Sequence, residues 1–361
     1  MMDSIVSSLV RTLKGYFADL LEPQADGSLG LRDEELGAWA SCCTTGQAAA
    51  FFVLDYRMHG GEGLAIASRL ASNVLCRQRP DGAFGQPFYV RHGEPETVDI
   101  AEIGAAANSL YLLHRHAGSE EAKECLLRSA RYLLTQVAAE NPGAVYKNPN
   151  ARHHDVLNGN MYAAHTFARA YGLSGDARLL ERTVCIFRHL IARFGKHEPD
   201  WWPYIEHWDG SVGMGNSVSY QGTIVAFAAA ALPLLPQELQ RQWQETAEAA
   251  VRRMLAAMKE GPHDGNEAPW WCRDWSSVWE IDMAFSRYAH LPGARDYVEE
   301  RIRDMNDRLA REGWSVFAPK GLQPDPERTP VSTSFRKAAS FAGYLASMKL
   351  DDASCLRREN S

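Results

Sequence analysis

The chain has 361 residues, 45% of them hydrophobic and 23% charged, with a formal charge of −7. These are globular proportions, and the acidic balance, with Lys and Arg scattered rather than clustered, excludes a phosphate-tracking surface and a nucleic-acid partner. No segment approaches eighteen uninterrupted apolar residues, so the reading contains no membrane span.

The chain opens with MMDSIVSSLVRTLKGYF, an amphipathic helical pattern without a basic stretch ahead of an apolar block. It does not read as a signal peptide, and a cytoplasmic location is expected. Apolar spacing near 3.6 then predicts twelve helices, at 4–21, 43–59, 62–79, 97–117, 119–140, 154–173, 176–195, 216–235, 237–259, 275–290, 294–311 and 330–348. A disordered tail is expected after about residue 350.

The helices alternate in character. AKECLLRSARYLLTQV and ARLLERTVCIFRHLIARF carry charges on one face. The first helix of each pair is richer in Ala, Gly, Ser and aromatics, as in IAEIGAAANSLYLLH and SVSYQGTIVAFAAAALPLL. An amphipathic helix belongs on an outer ring and an all-round apolar one inside.

The connections alternate as well. Turns such as HGG at 59–61 and GLSGD at 172–176 are short and make neighbours antiparallel. The next links, such as RPDGAFGQPFYVRHGEPE and EPDWWPYIEHWDGSVGMG, are long. Six such hairpins in a single domain spanning residues 1–361 predict an all-α (α/α)6 barrel, a toroid with its long loops on one rim.

Seven cysteines follow no framework spacing, and no metal-ligand motif is visible. Reduced thiols, no metal and no cofactor are expected.

The rim loops concentrate unusual residues. Trp201, Trp202, Trp208, Trp270, Trp271 and Trp275 fall in two of them. They either plug the mouth of the barrel or stack on a flat ligand such as a sugar. Thr44, Thr45, Thr97, Asp99, His154, Asp155, Asn216, Ser219, Asp274, Ser276, Thr329 and Ser332 lie at inner-helix starts. Thr97, Ser276 and Thr329 read as N-caps. Converging helix N-termini give this rim a positive field suited to an anionic substrate.

Glu102, one turn beyond Asp99, together with Asp155 and Asp282, are acids that need a partner or a function. Arg273, Arg287 and Arg336 are candidate partners. Two opposed carboxylates would instead support glycoside hydrolysis.

Leu157, Asn158, Gly159 and Tyr162 begin one helix, Gly175 and Asp176 form a turn, and Tyr204 and Tyr220 follow in a loop and at a helix start. This constellation, over about 155–232, resembles the C-terminal helical domain of D-glucuronyl C5-epimerases. The resemblance implies an oligo- or polysaccharide substrate containing a uronic acid or a related sugar, with Tyr204 and Tyr220 as catalytic tyrosines. His207 stands where that family has arginine, and Gln221 where it has histidine.

Epimerisation or β-elimination at C5 of a uronate needs a base, an acid and a cation to neutralise the carboxylate. Tyrosine serves as either proton carrier when nearby cations favour its phenolate. The expected catalytic set is therefore Tyr204, His207, Tyr220, Asp99 and Asp155. The expected substrate-binding set is Trp201, Trp202, His154, Asn158, Tyr162, Asn216, Trp271, Arg273 and Asp282.

Two other readings remain open: a hydrolase using Asp99, Glu102, Asp155 or Asp282, and a prenyl-binding toroid. The second rests on RPDGAFG at 79–85, which is like the turn repeat of terpene-cyclase toroids.

Overall fold

The structure is a computed structural model that describes residues 2–215, 217–260, 279–319 and 325–351. Twelve α-helices are present among them, joined by short strands, and no helix is long and apolar enough to cross a membrane. The chain divides into two compact units. One comprises Met1–Val98, Asn108–Leu126 and Glu299–Ser361, the other Asp99–Ala107 and Leu127–Val298.

The first unit is organised around α2 (Cys42–His59), which is buried from Cys42 through Asp55. Its sequence, CCTTGQAAAFFVLDYRMH, offers small or apolar side chains in every direction, so neighbours can cover it on all sides. Those neighbours are α1 (Met2–Ala18), α3 (Gly63–Arg77) and α12 (Ser334–Leu350). A Cβ at Gly343 would come 2.8 Å from the Gln47 side chain, so a glycine lets α12 approach α2 this closely.

Ser41 caps α2, accepting from Thr44 N at 3.1 Å. Gly60, at φ +73°, ends the helix and makes the short turn into α3. Phe17, Phe51 and Phe52 fill the interior with edge-to-face and tilted contacts 5.1–6.5 Å between centroids.

Two long links of this unit contain strands. β1 (Leu21–Pro23), β2 (Leu29–Asp33) and β3 (Ala38–Trp39) form an antiparallel meander. β4 (Gly85–Gln86) pairs with β5 (Thr97–Val98).

In the second unit, α6 (Leu157–Ser174) and α8 (Val218–Ala228) are buried along nearly their whole length. α7 (Ala177–Arg193) and α9 (Gln237–Glu260) bury one stripe each. On α7 the stripe is Leu179, Thr183, Ile186, Phe187 and Leu190, the spacing of one helical face. Asp176 caps α7 through Arg178 N at 3.1 Å, after Gly175 has turned the chain in the left-handed region.

The remaining helices are α4 (Ile100–Ala117), α5 (Glu120–Thr135), α10 (Trp279–Arg287) and α11 (Ala294–Glu312). A Cβ at Gly104 on α4 would strike the Tyr162 ring at 2.5 Å, so this glycine makes room for Tyr162 of α6.

The helices fall where the 3.6 periodicity places them, but several boundaries move, α5 ending at Thr135 and α12 starting at Ser334 among them. Residues 97–98 and 154–156 are strand rather than first turn, and α8 stops at Ala228. The caps move with them. Asp99 rather than Thr97 caps α4, accepting from Ala101 N at 2.8 Å. Thr333 rather than Thr329 caps α12, accepting from Arg336 N at 3.0 Å. Ser276 lies outside the described residues.

Candidate functional site

The second unit carries a small antiparallel sheet made of its long links: β6 (His154–Val156), β7 (Ile205–His207) and β8 (Val212–Met214). His154 pairs with His207, and Asp155 with Glu206. Side chains alternate across a sheet, so the two imidazoles share one face and the two carboxylates the other.

The carboxylate face turns to α7. Asp155 is buried, accepting from His189 Nε2 and from Asn160 Nδ2, each at 2.7 Å. Asn160 also accepts from Val145 N at 2.8 Å. Buried Glu206 pairs with the Arg193 guanidinium, and His197 Nε2 lies 3.1 Å from it. Both acids are thus satisfied by groups that hold the sheet in place.

On the opposite face, His154 is half-buried and His207 exposed, with centroids 6.4 Å apart. His153 packs edge-on against His154 at 4.2 Å. His207 lies over the β8 backbone, since a Cβ at Gly213 would come 2.8 Å from its Nε2. Burial, then the charges of His153, His207 and Lys147, push the His154 imidazole below its ordinary value, with Asp155 opposing. His154 is therefore neutral at pH 7, with a ring nitrogen able to accept a proton.

Lys147 lies between Asp99 and Tyr204. Its Nζ donates to Tyr204 Oη at 3.1 Å and lies 3.6 Å from Asp99 Oδ2. Burial alone would depress the ammonium, but Asp99 and Tyr204 outweigh it and hold Lys147 above the ordinary lysine value. The backbone fixes this loop too, because Ile100 N donates to Lys147 O at 2.9 Å.

Tyr204 is placed by Leu157 N donating to its carbonyl at 3.1 Å and by its own N–H on Met214 O at 3.1 Å. Its ring stacks on Tyr220 at 3.8 Å and 18°. The structure therefore brings Asp99 and Tyr204 to Lys147, with Tyr220 stacked on Tyr204. Lys147 was not among the residues singled out from the sequence. A single lysine in a loop, 57 residues from the tyrosine it touches, carries no motif.

Other expected residues lie elsewhere. Trp201 and Trp202 are 1% and 2% exposed and belong to the core, not to an open stacking surface. Trp202 donates from Nε1 to Leu190 O at 2.7 Å and packs between Phe194 and Trp243. Trp208, by contrast, is half-exposed beside the sheet, donating to Arg152 O at 2.8 Å, with its ring edge-on to Tyr146.

Asn158 is half-exposed in the first turn of α6. Tyr162 is buried, with its hydroxyl 3.4 Å from Glu280 Oε1 and its ring against Phe227. Glu102 and Asp282 are buried acids of α4 and α10. Asn216, Trp270, Trp271, Arg273, Asp274 and Trp275 lie outside the described residues. Among the described residues no three His, Cys, Asp or Glu side chains form a metal-binding group.

No family model and no curated protein matches the chain in sequence. Solved structures do match in three dimensions. The cellobiose 2-epimerase of Spirochaeta thermophila DSM 6192 is 15% identical, with a TM-score of 0.63 over 98% of this chain and 97% of its own. A GH76 α-mannanase of Bacteroides thetaiotaomicron is 12% identical, with a TM-score of 0.63 over 99% and 97%. An unsaturated glucuronyl hydrolase specific for heparin is 13% identical, with a TM-score of 0.57 over 99% and 96%. These likenesses show the fold, the all-α (α/α)6 barrel expected from the alternating helices.

Proposed function

We propose that the chain is a carbohydrate-active enzyme acting on a glycan that contains a uronic acid or a related sugar. Its chemistry is proton transfer at the carbon next to the sugar carboxylate, as in an epimerase or a lyase. The observation that carries this reading is the ammonium of Lys147, 3.1 Å from the Tyr204 hydroxyl and braced by Asp99. A tyrosine that gives up its proton places negative charge on that oxygen, and a preorganised cation beside it stabilises the charge.

Neutral His154 is the complementary base, with His207 next to it. Tyr220 stacks on Tyr204 and holds its ring. Removal of the C5 proton and its return from the other face gives an epimer. Removal followed by loss of the 4-linked sugar gives an unsaturated product. That the fold is shared with solved sugar epimerases and glycan hydrolases supports the substrate class.

The test is incubation with a β-1,4-oligoglucuronate tetramer in deuterated water. Deuterium at C5 reports proton transfer, and ultraviolet absorbance of a new C4–C5 double bond reports elimination. Tyr204→Phe is expected to lower the exchange rate about 10²–10⁴-fold, the usual cost of losing a general acid or base, with the fold intact by circular dichroism.

A hydrolase reading has its own support in the buried acids Glu102 and Asp282 and in Glu280 beside Tyr162. Hydrolysis without C5 exchange, lost in Asp282→Asn and kept in Tyr204→Phe, would select it.

A further inference from the structure

The first unit holds a feature with no part in that chemistry. Tyr89 is 51% exposed and adopts φ +56°. A bulky side chain in the left-handed region is an outlier, and such conformations persist only where the surroundings impose them. Here they do.

The stretch 87–92 is laced to 327–330. Tyr89 N donates to Pro330 O at 3.1 Å, Thr329 N to Val90 O at 2.8 Å, and His92 N to Glu327 O at 3.0 Å. The Thr329 hydroxyl donates to Pro87 O at 2.7 Å and accepts from Val90 N at 2.9 Å. Strain and these five hydrogen bonds thus hold an aromatic ring out in solvent. A residue there only for the turn would be glycine.

Two arginines belong to these laced segments. Arg328 lies over one face, 4.5 Å from the centroid, and donates to Tyr89 O at 3.3 Å. Arg91 stands opposite Arg328 across an isolated antiparallel bridge. Like charges directly opposite one another oppose pairing. Arg328 has Asp325 at 3.5 Å, but Arg91 has no acidic partner among the described residues. An exposed ring with Arg328 over one face, on a segment whose Arg91 is not neutralised by a carboxylate, suits a flat ring carrying a carboxylate.

We propose that Tyr89, Arg91 and Arg328 form a docking ledge for one uronate unit of a glycan chain, separate from the residues that carry the chemistry. The substrate class rests on the function proposed above; the ledge itself rests on its own geometry.

The test is calorimetric titration of the full chain in the Tyr204→Phe background, which removes turnover. The probes are the oligoglucuronate tetramer and cellotetraose, which has the same linkage with hydroxymethyl in place of carboxylate. The tetrauronate is expected to bind at least about 10-fold more tightly, and Tyr89→Ala or Arg91→Ala to weaken it about 5- to 10-fold, the size of one stacking or charged contact.

Tyr89→Gly separates ligand binding from folding. It relieves the positive φ, so the melting temperature is expected to hold or rise while binding falls. Equal affinity for the two tetramers, no binding at all, or unchanged binding in the Tyr89 and Arg91 variants overturns the ledge. Exchange at C5 that is unaffected while Tyr89→Gly binds normally removes the ledge and keeps the enzyme. Ledge-dependent binding with no C5 exchange keeps the ledge and removes the epimerase or lyase reading.

Discussion

Replacing Lys147 by methionine keeps the length of the side chain and deletes its charge. At 3.1 Å from the Tyr204 oxygen, a full phenolate–ammonium attraction has a ceiling of about 5 kcal/mol at an effective dielectric near 20. The side chain is about one-third exposed, so the realised figure is nearer that of a charge-assisted hydrogen bond, roughly 1.5–3 kcal/mol. That corresponds to about a 10- to 10²-fold fall in kcat.

The fold loses less. The Lys147–Asp99 pair is 3.6 Å long and partly solvated, worth under about 1 kcal/mol, and Asp99 keeps its capping bond to Ala101 N. The assay is C5 exchange against substrate concentration, with a thermal melt alongside. An unchanged kcat refutes the argument. A loss confined to KM also refutes it, since that is the mark of a lysine that holds the substrate carboxylate instead of serving the tyrosine.

The depressed His154 imidazole sets a pH expectation. Turnover should fall on the acid side only below pH 6.5, and His207→Gln, by removing a neighbouring charge, should move that limb upward. Stability has the same sign: the contribution of His154 is present above 6.5 and lost as the pH falls through its own lower value, which melts across this range will show. Trp202→Ala should cost about 3–5 kcal/mol in urea unfolding, the price of a buried aromatic, with glycan affinity of the folded fraction unchanged. Lower affinity at full stability would return that ring to the ligand. Asp155→Asn should lose roughly 1–3 kcal/mol through its bonds to His189 and Asn160, with turnover within a few-fold of wild type. A folded but inactive Asp155→Asn would place the chemistry on the carboxylates.

The helical framework was legible because burial writes a 3.6-residue period into outer helices such as α7, and the short Gly-bearing turns mark where hairpins close. The strands were not. Thr97–Val98 and His154–Val156 precede helices directly, and two or three residues cannot display a period of two against the helical pattern that follows. That error had a consequence. On a helix His154 and Asp155 point within a quarter-turn or so of each other, whereas on a strand they part to opposite sides.

The tryptophans show a second limit. Trp202 and Trp208 share one loop and one composition, yet one is sealed between Phe194 and Trp243 while the other stays half-exposed. Only the tertiary packing separates them. Tyr204 and Tyr220 came to notice through a family pattern. Lys147 belongs to no pattern, and only the folded loops bring it to the tyrosine.

The strand β6 makes the placement of its side chains depend on counting. Its neighbouring residues deliver an imidazole to one side and a carboxylate to the other, so a one-residue slip would exchange an acceptor of protons for a fixed anion while leaving the chain path nearly unchanged. The Asp155–His189 and Glu206–Arg193 contacts oppose that slip, since either carboxylate would then lose its partner and face the open side. These buried pairs act as a ratchet pawl: whatever they add to stability, their larger effect is to make the wrong alignment unaffordable. A single-residue insertion ahead of His154 should therefore be far more damaging than one in the exposed hairpin at Asp209–Ser211.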